Sequence, residues 1–157
     1  MYERLLRLVP IPINEKADLP DGMKGLYLKT TTGEAILLSC LIDTQNEKTC
    51  ILGEEVGHYY TSVGNILDQK SLQNRKQELR ARTWAYKELF HLEKIIQAHK
   101  IGVRNKHELA IFMEITEDFL ESALKRYQEI YGLFFIFDVQ HTICFEPLGV
   151  LEMFDFI

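Results

Sequence analysis

No stretch of this sequence approaches the roughly twenty consecutive apolar residues of a membrane-spanning helix, which excludes a helical membrane protein. Cysteine is scarce. Cys40, Cys50 and Cys144 are odd in number, widely spaced and form no C-x-x-C pair. That argues against a disulfide framework and against a cysteine-based zinc site, and fits reduced thiols in a cytoplasmic protein. An excess of positive charge is also missing: 18 Lys and Arg stand against 23 Asp and Glu, a net charge of −5. The chain therefore has no electrostatic footprint for general nucleic-acid binding. Met1-Tyr2-Glu3-Arg4-Leu5-Leu6-Arg7 mixes charges into its apolar residues, so no secretory signal is expected there. Internal repeats and low-complexity segments are absent.

What remains is an ordinary globular composition, 46% hydrophobic and 26% charged in 157 residues, enough for one domain with a core or a domain with an appendage. Residues 2–8 predict a first helix, ended by Pro10 and Pro12, with Ile11 and Ile13 in an extended segment. Leu19-Pro20-Asp21-Gly22 is a turn. Gly25–Thr30 and Ala35–Ile42 read as two strands of a hairpin. The second is almost continuously apolar, as if covered on both faces. Thr44-x-x-Glu47 is a capping box and starts a helix that should run through Thr61. Val63–Ser71 reads as a loop. Asn74-x-x-Gln77 is a weaker start signal for a helix over about 75–90. On that helix Glu78, Ala81, Ala85 and Leu89 share one stripe, and the small residues would permit a close neighbour. Helices are predicted at 92–99, 106–113 and 116–131, and Leu133–Asp138 with Thr142–Phe145 suggests a terminal hairpin. The fold class is α+β, divided into 1–90 and a helical unit with hairpin over 91–157.

Within the capped helix lies Glu54-Glu55-Val56-Gly57-His58, one residue away from the H-E-x-x-H signature of zinc peptidases. Positions i and i+4 of a helix share a face, so Glu54 and His58 point the same way. Glu55 is offset by one position, where a general base would flank a metal-bound water. Gly57 lets another element pack near the site. A catalytic metal needs a third protein ligand. Glu78 is the candidate, 78 − 58 = 20 residues beyond His58 and early in the next helix. Glu54, His58 and Glu78 would make a hard, anionic set, holding zinc with manganese or iron able to compete. The bland alternative is a solvated glutamate face with a histidine placed for the helix dipole, and the motif logic alone favours it.

The flanking sequence adds to this. Cys50-Ile51-Leu52-Gly53-Glu54-Glu55-Val56-Gly57-His58-Tyr59-Tyr60-Thr61 resembles the active-site helix of the ImmA/IrrE family of metallopeptidases. Asn74–Ala85, with Glu78 shortly before Ala81-Arg82-Thr83-Trp84-Ala85, resembles the family's second helix. Gly25-Leu26-Tyr27 and Phe145-Glu146-Pro147-Leu148-Gly149-Val150 resemble the small phage-type members, so the likeness spans nearly the whole chain. It implies a zincin-like core of a small sheet and active-site helices. It further implies a metal-dependent, site-specific endopeptidase that cleaves the repressor of a prophage or mobile element. Carried over, His58 and Glu78 match metal ligands and Glu55 the catalytic base, while Glu54 stands where the family has its first histidine. The alternative is a catalytically silent module that binds the repressor. Substrate would lie extended on a sheet edge, expected at the Ala35–Ile42 strand.

Other features carry less. His107 to Leu120 has helix-turn-helix spacing, but the second helix opens with Glu117, Asp118 and Glu121, which repel phosphate. A protein-docking or packing helical pair fits better, and direct nucleic-acid binding is not expected. Arg75, Lys76, Arg80 and Arg82 read as a solvated basic face, with substrate or transition-state contact near Glu78 as the lesser alternative. Tyr59 or Tyr60 is a candidate oxyanion donor or a wall residue. Asp68 is a turn residue or a partner orienting His58. His91, His99, His107 and His141 show no ligand spacing.

Overall fold

The computed structural model describes residues 1–62 and 72–153. The Val63–Ser71 loop and Asp68 lie outside the described residues. The chain is α+β and divides into two compact units, Met1–Leu89 and Phe90–Ile157. Among the described residues no helix is long and apolar enough to cross a membrane.

The first unit begins with α1 (Tyr2–Leu8), followed by strands β1 (Ile13–Ala17), β2 (Gly25–Thr30) and β3 (Gly33–Ser39). The sheet order is β1-β3-β2, with β1 parallel and β2 antiparallel to β3. This corrects the expectation for the third strand in two ways. It ends at Ser39 rather than Ile42, and it is central, so it offers no free edge. Cover on both faces is not what the apolar run meets: Ile36 and Leu38 are fully enclosed, but Ala35 and Leu37 are half-buried and Leu41 is exposed. Among the described residues, the unpaired antiparallel edge belongs to β2. Ser39 donates to the Lys24 carbonyl at 2.9 Å, so by the alternation of an antiparallel ladder Leu26 and Leu37 also bond across it. Tyr27 then turns its N–H to the open side.

Helix α2 (Gln45–Thr61) follows. Thr44 Oγ1 accepts the Glu47 N–H at 3.2 Å, and the C-terminus closes where Ser62 donates to the His58 carbonyl at 2.9 Å. Helix α3 (Leu72–Leu89) starts before the Asn74 signal and runs antiparallel to α2. The two helices approach closely because small residues face each other. Gly57 meets the backbone of Ala81, and Gly53 lies opposite Ala85 and Leu89. Ala81, Ala85 and Leu89 are fully buried, as their stripe predicts.

The second unit holds α4 (Leu92–Lys100), α5 (Lys106–Met113) and α6 (Glu117–Tyr131). Asn105 and Thr116 cap α5 and α6 through their side chains, and Glu114 takes a left-handed conformation, φ 59°, to turn between them. The terminal hairpin is in fact a three-stranded meander: β4 (Phe134–Ile136), β5 (His141–Phe145) and β6 (Leu148–Glu152). Met113, Ile115, Leu120 and Ile143 are the fully buried centre of this unit.

Candidate functional site

Four of the residues singled out in the sequence meet at the C-terminal half of α2. Because α2 and α3 are antiparallel and in close contact, a residue early in α3 stands across from one late in α2. The 20-residue separation thereby becomes a contact: His58 Nε2 lies 3.1 Å from Glu78 Oε2. The other ring nitrogen, Nδ1, is 3.2 Å from Ser62 Oγ, one helical turn on. His58 is buried at 8% exposure, whereas Glu54 and Glu78 are half-buried and remain open to solvent.

Glu55 occupies the offset position and turns toward the sheet. Its Oε2 accepts the N–H of Tyr27 at 2.7 Å. The approach depends on Gly25, since a Cβ there would sit 2.6 Å from Glu55 Oε1. The candidate base is thus held on the free edge of β2, at the backbone donor that an added extended chain would use.

One residue of the basic cluster joins the site. Arg82 Nε donates to Glu78 Oε1 at 2.7 Å, one turn along α3, and lies 3.9 Å from Glu54 Oε2 on α2. Both oxygens of Glu78 are therefore engaged, one by the imidazole and one by the guanidinium. The i,i+4 spacing from Glu78 to Arg82 was the sequence signal for this contact. Arg75, Lys76 and Arg80 carry no such contact to Glu54 or Glu78.

The carboxylates respond differently to this setting. Burial pushes Glu55 up to about 7, only partly offset by the His58 charge and the Tyr27 N–H. Burial also raises Glu54, against the pull of Arg82. Glu78 moves down because His58 hydrogen-bonds its charged form, outweighing burial. Burial pulls His58 down, but the Glu78 hydrogen bond and the charges of Glu55, Glu78 and Glu54 together raise it. Glu54 and Glu78 thus face the His58 imidazole and the Arg82 guanidinium, while burial makes Glu55 harder to ionise than a free glutamate.

The donor chemistry suits a divalent cation: one imidazole and two carboxylates, with His58 Nε2 and Glu78 Oε2 close enough for one ion to touch both. Glu54 is turned to Arg82 instead. Among the described residues no three metal-capable side chains gather as a cluster. A cation taking all three candidate ligands would need the guanidinium to move.

Tyr60 is committed elsewhere. Its hydroxyl donates to the Leu8 carbonyl and its ring stacks on Trp84 at 5.2 Å. Tyr59 packs edge-on to Tyr27 at 6.0 Å, lining the β2 side of the site. The remaining histidines stay apart. His141 is buried against Asp138 at 2.8 Å, and His107 and His99 pair with Glu117 and Glu152.

No family model, no curated protein and no solved structure matches this chain.

Proposed function

We propose that the chain is a metal-dependent endopeptidase of the ImmA/IrrE type, with a zincin-like core, acting on a repressor or similar regulatory protein. The observation that carries this reading is the convergence of His58 on Glu78 beside a half-buried Glu55 at the edge of β2. An antiparallel edge strand next to the glutamate-bearing helix is what cleavage of an extended peptide requires: backbone donors to align the chain and a base within reach of the aligned bond. His58 and Glu78, with Glu54, would hold zinc or manganese. The chemistry such an ion supplies is Lewis-acid polarisation of a carbonyl. Glu55 takes the proton of the attacking water and returns it to the leaving amine. Its burial favours that role, because a carboxylate near neutrality accepts a proton at working pH and gives it back.

A second reading, a silent module that binds the regulatory protein without cutting it, is favoured by one observation. Arg82 already neutralises Glu78 and reaches Glu54. The two readings part in one set of measurements. Purified wild type, His58→Ala and Glu78→Ala are reconstituted with zinc or manganese and assayed by elemental analysis. The peptidase reading expects stoichiometric metal in wild type and loss in both variants. An absence of metal from wild type would remove it. Co-expression with a phage-type repressor, with and without Glu55→Gln, then separates the outcomes. A cut repressor that becomes intact with Glu55→Gln supports the peptidase, and an intact repressor co-purifying with wild type supports the module.

A further inference from the structure

We propose that Arg82 is an internal counter-cation that competes with a divalent metal for Glu78 and Glu54, so that metal enters the site only as the guanidinium leaves. The inference rests on the metal reading above and deepens it into a regulatory feature of the same site.

The geometry is direct. Arg82 Nε is 2.7 Å from Glu78 Oε1, a charge-assisted hydrogen bond, and 3.9 Å from Glu54 Oε2. One side chain on α3 thus spans two candidate ligands on two helices. The other Glu78 oxygen, Oε2, faces His58, so Arg82 and the imidazole hold the carboxylate from both sides. A divalent cation that draws on Glu78 and Glu54 together meets the like charge of the guanidinium already placed between those two carboxylates. Arg82 can leave without unpacking anything. Its side chain is half exposed, at 49%, and a guanidinium released from Glu78 swings directly into water. The helix pair beneath it is fixed by the glycine and alanine contacts, which do not involve Arg82. On one backbone, either arginine or metal can thus offset the charge of these carboxylates.

The test is isothermal titration of the full chain with zinc and, separately, manganese, for wild type, Arg82→Met and Arg82→Lys. Methionine keeps length and helix preference and removes the charge. Lysine keeps the charge as a point without the fork. Arg82→Met is expected to bind metal about tenfold tighter than wild type, about 1.4 kcal/mol, and Arg82→Lys to fall between them. Trp84 fluorescence reports that each variant is folded. Equal, measurable affinities in wild type and a folded Arg82→Met would overturn the competition and leave the metal reading standing. No binding by any of the three proteins would overturn both. Should Arg82→Met fail to fold, Arg82→Lys decides: affinity no tighter than wild type overturns the inference.

Discussion

Gly57→Ala tests the packing on which the site depends. A Cβ on Gly57 would lie 3.0 Å from the Ala81 carbonyl carbon and 3.2 Å from its Cα, and the Ala81 oxygen is nearer still. Ordinary contact needs about 3.5 Å or more between carbon atoms. The obstacle is backbone, so no rotamer change relieves it, and the helices must separate by several tenths of an ångström. Overpacking of this kind costs about 1–3 kcal/mol, and the rigid partner places it toward the upper end. Alanine returns about 1 kcal/mol through its helix propensity. The net expectation is a loss of about 1–2 kcal/mol, which for a unit of this size lowers Tm by about 4–8 °C per kcal/mol.

Gly53→Ala is the internal control. Its new Cβ would meet the Cδ1 end of Leu89 at 2.7 Å and the Ala85 Cβ at 3.7 Å. A side-chain terminus can give where a carbonyl cannot, so this variant should be less damaging than Gly57→Ala by about 1 kcal/mol or more, on the same overpacking scale. Urea denaturation followed by fluorescence of the single tryptophan, Trp84, measures both, since that residue sits on α3 stacked against Tyr60 of α2. The reasoning fails if Gly57→Ala unfolds at the wild-type urea concentration or above, or if Gly53→Ala proves the costlier of the two.

Four further outcomes are expected. Thr44→Val removes the side-chain acceptor for the Glu47 N–H and should cost about 1 kcal/mol in the same urea assay; an unchanged midpoint would show the cap to be dispensable. Tyr127→Phe deletes a buried hydroxyl that donates to the Phe90 carbonyl at 2.8 Å, with an expected loss of about 1–2 kcal/mol by circular dichroism during denaturation. Asp138 is held below its ordinary value by the N–H of Gln140 and by His141. Its contribution is therefore present above the unfolded value of 3.8 and is lost as pH falls through the lower folded value. Asp138→Asn should flatten that acid dependence in amide exchange at β5, and identical acid profiles for the two proteins would refute it. Exhaustive chelation of metal-loaded protein should lower Tm, since a ligand held only by the folded state stabilises it, yet leave the chain folded, because Arg82 then pairs with Glu78; unfolding on chelation would mean the metal is structural.

Local signals were the ones readable in the sequence. The Thr44 capping box and the small-residue stripe of α3 each act within a turn or two, and the start of α2 and the burial of Ala81, Ala85 and Leu89 fall where these signals put them. Strand order is different, because it depends on partners far along the chain. The apolar run of β3 suggested cover on both faces, which is complete only at Ile36 and Leu38, and such a run says nothing about which strands lie alongside. β1, Ile13–Ala17, was visible only as an extended segment because Asn14, Glu15 and Lys16 make it too polar to read as a strand. β6 was missed because Gly149 interrupts its alternation, so Leu148–Glu152 looks like the end of a turn.

The site divides in the same way. Helical periodicity was enough to align Glu54 with His58 and to put Glu78 on the face toward α2. Periodicity locates a Cα on a face; it does not say where a long side chain ends. Arg82 is one turn from Glu78, and its reach across to Glu54 requires the short α2–α3 separation that Gly57 and Ala81 create. Glu55 likewise needed the open edge of β2 before its partner, the Tyr27 N–H, could be identified. These two contacts bear on both functional readings. Arg82 holds the carboxylates that would receive a metal, and Tyr27 holds the carboxylate that would receive a proton. An extended chain adding to β2 would offer a carbonyl to the Tyr27 N–H in place of Glu55, and a cation would displace Arg82. The groups that a peptidase must free are the same ones that now satisfy each other, so the ground-state contacts of this site are compatible with a resting enzyme as well as with a silent scaffold. The distinction lies in whether the two contacts exchange for substrate and metal, which the Arg82 and Glu55 variants measure directly.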